Sequence, residues 1–452
     1  MTFPRGDLRK SSERAPSRWL LDSAERHDGA RPSAEELSAL TGEWFTEVPS
    51  FVAGLKATEF PASVQEYDVR SLLDHHESGQ RFDTSNVLEQ RHEVRVGAEL
   101  LQGRLSKDFT RFDGNLASDG DLRGVTLPDP SQKGQVTSAS RLEKWASCPY
   151  AYFVQYILGV GETEDPEEEY RISGRTKGSW VHDVLDRWIS NAIANGTTPS
   201  AGTGWTTEQI TELQTLTEAE GTRLAARGQV GRTVYWNRDQ LLVWRDLEKF
   251  VEFDNEQRAA FSSTPLASEL SFGLPDSDHP EVSLALPDGR SLALRGAIDR
   301  VDATEDGSLV VIDYKTGRDK FGKISAENPT PTGKHLQLVL YTLVARSLTG
   351  HHGPHDHAGY WLITAKGGFK RRGYPVTAQV EEAALATVSR IVDGISAGLF
   401  PAKPQEPGYQ HFIECACCQP DKLGTAHQFR DWQRLLGHPE LADFHDLTEA
   451  SK

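Results

Sequence analysis

The stretch that most constrains the fold is "VVIDYKTG", residues 310–317. A run of β-branched residues heads for a buried strand. Asp313 and Lys315 stand two positions apart at its end, so in a strand they share one face. Taken alone, an Asp-x-Lys pair at a strand end is commonly a solvated ion pair. Here it closes a strand whose other residues call for burial on both sides.

The neighbouring segments extend that pattern. "LASELSFGL", "EVSLALPDGRSLALRGAIDRVD", "SLVVIDYKTG" and "AGYWLITA" read as strands, with Pro287-Asp288-Gly289 as a hairpin turn. Helical period marks "KHLQLVLYTLVARSL" and "VEEAALATVSRIVDGISAGLF", and upstream "GSWVHDVLDRWISNAI", residues 206–227 and residues 238–261. "TSASRLEKWASCPYAYFVQYILGV" places Leu142, Trp145, Ala146, Tyr150, Phe153 and Ile157 at helical spacing, and Pro149 divides it into two short helices. In the first 130 residues, "SAEELSALTGEWF" opens with an N-cap serine and predicts a helix, while "DGNLASDGDLRGVTLPDPSQKGQ" reads as a linker. The expectation is an α/β core preceded by a helical region, in two parts: 1–130 and 131–452.

Asp299, in "GAIDRVD", precedes Asp313 by 14 positions. That separation fits two adjacent antiparallel strands joined by a turn at "TEDGS". Two carboxylates on neighbouring strands with a lysine beside one make a site for a divalent metal. Such a metal stabilises charge on a phosphoryl oxygen and lowers the pKa of a bound water. The lysine can position that water or neutralise developing charge. His182 on the helix "GSWVHDVLDRW" offers an imidazole ligand. Gln337 and Tyr341 stand at i and i+4 on one helix face and can hydrogen-bond to a phosphate or to the lysine. A histidine on a helix, or a Gln and Tyr at this spacing, is by itself commonplace. The ordered set is not.

That ordered set, "GSWVH", "GAIDRVD", "VVIDYKTG" and "QLVLY", resembles the RecB-type nuclease domain of the PD-(D/E)XK superfamily, from about residue 137 onward. "SASRLEKWASCPYAYFVQYILGV" looks like the segment that opens this domain in AddB- and AdnB-like helicase–nucleases. The resemblance implies a restriction-endonuclease-like mixed sheet flanked by helices. It implies Mg2+ or Mn2+ held by His182, Asp299, Asp313 and the backbone carbonyl of Tyr314. It implies Lys315 as the catalytic lysine, with Gln337 and Tyr341 in support and Glu269 as a further carboxylate. The first 130 residues, through "FPRGDLRKSSERAPSRWLL" and "FTRFDG", look like the stretch before the nuclease domain in actinobacterial UvrD/Rep-like helicases. The expectation is then a helicase fragment or a separately encoded nuclease subunit, with DNA and a helicase motor as partners. Gly317–Lys323, "GRDKFGK", imitates the start of a phosphate loop, but Ile324 replaces the required Ser or Thr and no helix start follows.

The same resemblance implies a [4Fe–4S] cluster on one upstream and three C-terminal cysteines. Cys148, Cys415 and Cys418 match that arrangement, but "DKLGTAH" occupies the place of the last cysteine. Cys417 adjoins Cys418, and adjacent residues rarely face one cluster. His427 is an alternative fourth ligand, zinc is a weaker occupant, and a cluster-free tail with ordinary thiols is the competing reading. The loop "HHGPHDH" reads as solvated.

The net charge of −17 counts against a protein held to nucleic acid by a generally basic surface, but does not exclude a nuclease with a local basic channel. The sequence contains no apolar run long enough to cross a bilayer, its first residues are polar and basic, and it has only four cysteines, so the expected location is cytoplasmic and no membrane partner is expected. The functional expectation is a metal-dependent deoxyribonuclease of recombination or repair. It acts on single-stranded ends, as an exonuclease rather than an endonuclease. The alternative from another class is a non-catalytic DNA-binding or scaffold module.

Overall fold

The computed structural model describes residues 15–48, 50–81, 84–118, 126–161, 170–404 and 425–449, with only the backbone for 425–427. It divides into two compact units, Met1–Leu101 and Gln102–Lys452.

The first unit is helical: α1 (Arg18–Asp28), α2 (Phe51–Ala57), α3 (Val64–Glu77), α4 (Asn86–Gln90) and α5 (His92–Leu105), which runs past the unit boundary. Serine caps set the starts. The hydroxyls of Ser17, Ser50, Ser63 and Ser85 accept backbone N–H groups of the first turns of α1 to α4, which those turns leave without helical partners. The expected helix at 33–45 does not develop. Ser33 and Glu36 do exchange capping hydrogen bonds, at 2.9 and 3.2 Å, but only a 3-10 turn over Glu36–Ala39 follows. Leu37 is its one buried residue, and a nucleated turn without an apolar face to bury does not propagate.

The second unit is built on a five-stranded sheet of order β2-β5-β6-β7-β8. The strands are β2 (Ser263–Phe272), β5 (Gly296–Thr304), β6 (Leu309–Lys315), β7 (His357–Leu362) and β8 (Arg371–Pro375). All pairs are antiparallel except β6 with β7. A small sheet joins β1 (Val136–Thr137), β4 (Ser291–Leu294) and β3 (Val282–Ala285), with the expected hairpin between β3 and β4. The edge strand β8 escapes sequence reading because "RRGYP", with two arginines, a glycine and a proline, lacks apolar alternation.

Helices cover both faces of the main sheet. Leu309 and Val311 join a core with α6 (Ala139–Ser147), α11 (Leu336–Thr349), α12 (Ala378–Ser396) and α14 (Ala442–Glu449). Val310, Ile312 and Tyr314 join the opposite core with α8 (Gly174–Ala194), α9 (Thr207–Ala226) and α10 (Thr233–Phe261). This is why β6 reads as continuously apolar. Pro149 starts α7 (Pro149–Tyr152) after an extended Cys148, so the predicted division occurs. The remaining helix is α13 (Thr425–Leu435). The start of the expected linker is held down instead of free. Buried Asn115 donates to the Phe109 carbonyl and to Glu440, and Arg434 pairs with Asp113.

A buried charge network ties α10 to β5. Arg300 contacts Asp254 and Asp302, each at 2.5 Å, Arg258 reaches Asp254 at 2.8 Å, and the Trp205 indole N–H donates to Asp254 at 2.7 Å. Arg300 follows Asp299 directly, so the network fixes the strand that carries that acid.

Candidate active site

The β5–β6 ladder runs from Ala303–Leu309 to Arg300–Ile312. One step beyond, a side chain takes over from the backbone. Asp299 Oδ2 accepts the Tyr314 N–H at 2.6 Å. In an extended strand the N–H and C=O of one residue point to the same side, so the Tyr314 carbonyl also faces β5. The two strands carry Asp299, Asp313 and Lys315 where regular pairing ends.

Asp299 Oδ1 lies 3.5 Å from His182 Nδ1 on α8, and Glu269 Oε1 on β2 lies 3.9 Å from the same nitrogen. Ligand atoms of His182, Glu269 and Asp299 all fall within 4.8 Å of one another. Glu269 gets there through an irregular backbone. Its φ is +43°, and β2–β5 pairing passes from Ser268–Arg300 to Leu270–Ile298 around it. A left-handed non-glycine residue inside a strand costs about 1–3 kcal/mol. This one stands opposite Asp299, with the pairing register the same on either side of it.

Asp313 and Lys315 form an ion pair on the α6/α11 side of the sheet. The Lys315 ammonium also lies 5.1 Å from the centre of the Tyr360 ring. Gln337 and Tyr341 stand one turn apart on one face of α11, close enough for the amide to act on the phenol's pKa. Gly296 makes room for Tyr341: a Cβ there would stand 2.9 Å from the tyrosine Oη. The structure thus gathers His182, Glu269, Asp299, Asp313, Lys315, Gln337 and Tyr341 around the end of β5 and β6. The Tyr314 side chain points the other way, into the α10 core.

One residue of the site went unread in the sequence. Glu143 on α6 accepts from the Gln337 N–H at 3.4 Å, beside the Leu336 N–H that also pulls on its charge. It thereby caps α11, whose own N-cap residue, His335, makes no side-chain cap. Its charge is felt by Lys315. An acid beside Leu142 on an otherwise apolar helix face was the available signal. The cysteine expectation falls elsewhere: Cys148 is buried at the α6–α7 junction, while Cys415, Cys417, Cys418 and the His427 side chain lie outside the described residues.

Electrostatics follows from crowding acids in a recess. Burial, then the charge of Asp299, pushes Glu269 up to about 7. Burial raises Glu143 to about 7, against the pull of the α11 N–H groups. Burial also raises Asp313 to about 6, with Lys315 opposing and Asp299 adding. Burial works against charged His182, but its hydrogen bond to Asp299 and the surrounding acids raise its pKa. Several oxygens and one imidazole nitrogen converge here, and the Glu269 and Asp313 carboxyls among them are costly to ionise without a nearby cation. That donor set fits a hard divalent cation, which prefers oxygen and accepts imidazole.

A mixed sheet with helices on both faces, an acid pair at its splayed strands and an Asp-x-Lys beside it defines a class of phosphodiester-cleaving fold. The model of the PD-(D/E)XK nuclease superfamily matches residues 136–421, more than half of the chain, and the chain belongs to that superfamily. Among curated proteins it is similar to an ATP-dependent helicase/deoxyribonuclease subunit of Acetivibrio thermocellus, 32% identical over 213 residues, which are 46% of this chain and 17% of that protein. The proteins of the same name from Clostridioides difficile and Clostridium perfringens (strain SM101) are 29% identical over 217 residues and 27% identical over 241. Those matches cover 46% and 53% of this chain, and 17% and 20% of the relatives. The chain therefore spans about a fifth or less of the length of these relatives.

Proposed function

We propose that the chain is a metal-dependent deoxyribonuclease that hydrolyses phosphodiester bonds in single-stranded DNA ends during recombination or repair. The observation that carries this reading is the His182–Glu269–Asp299 donor group beside the Asp313–Lys315 pair. His182, Asp299 and Glu269, with Asp313 and the Tyr314 carbonyl, would hold Mg2+ or Mn2+, which supplies charge to the phosphoryl oxygens and a more acidic water. The chain's own groups do the rest. Asp313 keeps the Lys315 ammonium at the edge of the recess, where it orients the attacking water and offsets developing negative charge. Asp299, fixed by the Tyr314 N–H, presents its second oxygen to the site. Gln337 and Tyr341 donate hydrogen bonds to a non-bridging oxygen or hold the lysine. The product of this attack is a 5′-phosphate, and exonucleolytic action is the favoured mode.

The names of the relatives support a helicase motor as partner. Among the described residues no helix is long and apolar enough to cross a membrane, and we place the activity in the cytoplasm. The cluster on Cys148, Cys415, Cys418 and a fourth ligand is a second proposal, tested by iron content after anaerobic purification. The nuclease reading is tested by incubating the chain with end-labelled single-stranded DNA and Mg2+. Shortened products carrying 5′-phosphates are expected, and intact DNA over a range of Mg2+ and Mn2+ concentrations sinks it.

A further inference from the structure

The loop from β6 to α11 and the turn from β7 to β8 lie side by side where the strands leave the sheet. Lys315 O accepts the Ile363 N–H at 3.0 Å, and the Thr364 hydroxyl donates to the Thr316 carbonyl at 3.2 Å. A Cβ on Gly367 would come within 2.9 Å of the Gly317 carbonyl. Further out, Asp319 joins the two segments by accepting from Arg372 at 2.7 Å, with Lys370 at 3.6 Å. The two loops make one ledge, continuous with the backbone of Lys315.

Its charge is opposite to that of the chain. Residues 316–334 and 363–372 carry eight lysines and arginines against two acids, Asp319 and Glu327, whereas the whole chain carries −17. Arg318, Lys320 and Lys366 are exposed and form no ion pair with a described residue. Like charges left unpaired at close quarters repel one another, and a polyanion bound across them relieves that repulsion.

The ledge also holds an aromatic ring in a set position. Half-buried Phe321 stacks on Tyr360, with centroids 4.3 Å apart and planes at 28°, and meets His335 edge-on. Tyr360 is the ring beside the Lys315 ammonium. One stacked pair of rings therefore connects the ledge to the lysine. Cations that track phosphates, together with an aromatic face that accepts any base, are how single strands are held without regard to sequence.

We propose that this ledge is the single-stranded DNA-binding surface that feeds the site, with Arg318, Lys320 and Lys366 contacting phosphates and Phe321 stacking on a base. It rests on the nuclease reading for the destination of the strand, but binding is measured without cleavage. Fluorescence anisotropy of a labelled oligothymidylate is followed in EDTA from 50 to 300 mM salt, using the full chain. Each single-strand phosphate contact contributes about 0.7 to the slope of log K against log salt. The triple variant Arg318→Glu, Lys320→Glu, Lys366→Glu should weaken binding at least ~10-fold and flatten the slope by roughly 2. Phe321→Leu should weaken binding several-fold at every salt with the slope unchanged. The same charge change at Arg26, Lys107 and Lys133, outside the ledge, should leave both quantities near wild type. An unchanged slope in a folded ledge triple, or an equal loss in the control triple, overturns the proposal. So does blunt duplex bound as tightly as the single strand. Ledge-dependent binding without any Mg2+-dependent cleavage would sink the nuclease reading and leave the ledge standing.

Discussion

Asp299 Oδ2 accepts the Tyr314 N–H at 2.6 Å, so one carboxylate both ends the β5–β6 ladder and turns its other oxygen toward His182. The two jobs separate by substitution. Asp299→Asn keeps an oxygen for the Tyr314 N–H and removes the charge. It should fold with nearly wild-type stability and lose most of its Mg2+ affinity by calorimetry. Asp299→Ala also strands a backbone donor, so its unfolding free energy should drop by a further ~1–3 kcal/mol in urea melts.

Asp313→Ala and Lys315→Ala should each reduce cleavage by ~10²-fold or more while the chain stays folded. Asp313 is buried beneath the partly exposed Lys315, and neither side chain supplies apolar packing to the cores. Circular dichroism and thermal melts report the fold, and initial rates on labelled DNA report the chemistry. Wild-type rates in either purified variant would remove the residue from the mechanism.

Calcium should bind and fail to support turnover, whereas magnesium and manganese support it. The same oxygens accept calcium with looser geometry and a less acidic water. The comparison is a rate in each ion at saturation, with binding followed separately. Equal rates in calcium would argue against water activation.

Glu143 offers a pH test of stability. Its carboxyl is raised in the folded chain from 4.5 to about 7. For an acid raised on folding, the folded state holds its proton longer than the unfolded one. The contribution is present in full below the unfolded pKa and is lost as pH climbs through the folded one. Stability should therefore fall between about pH 4.5 and 7 by a few kcal/mol from this group. Glu143→Gln keeps a cap acceptor and cannot titrate. The difference between the wild-type and variant melting profiles should change across that window and flatten above it. A constant difference would show that Glu143 does not titrate there.

Arg300→Ala should be among the most damaging changes in the second unit. It leaves Asp254 and Asp302 buried without their shared guanidinium, a situation that costs roughly 3–5 kcal/mol. Equilibrium unfolding measures it, and a loss below about 1 kcal/mol would mean that water or Arg258 takes over.

Local chemistry determined much of this protein. The alternation of residues 309–315 sets which side chains share a face, so Asp313 and Lys315 were bound to stand together once that segment became a strand. The short span from Asp299 to Asp313, with a turn between, left antiparallel pairing as the natural outcome. The division at Pro149 and the β3–β4 hairpin were legible for the same reason: a proline or a tight turn acts on its immediate neighbours. The histidine, the glutamine and the tyrosine were found by their order along the chain. Tertiary structure decided what neighbours could not encode. Glu143 reaches α11 because α6 packs across it, and Glu269 meets His182 across elements far apart in sequence, from a left-handed backbone position in β2. The ladder gives way to the Asp299 side chain at a point no periodicity marks. The basic ledge likewise exists only where Asp319 meets Arg372 across two loops more than fifty residues apart in sequence. Periodicity is a property of a few consecutive residues. A recess where four acids, a histidine and a lysine share one volume depends on how the layers settle, and packing of distant segments sets that.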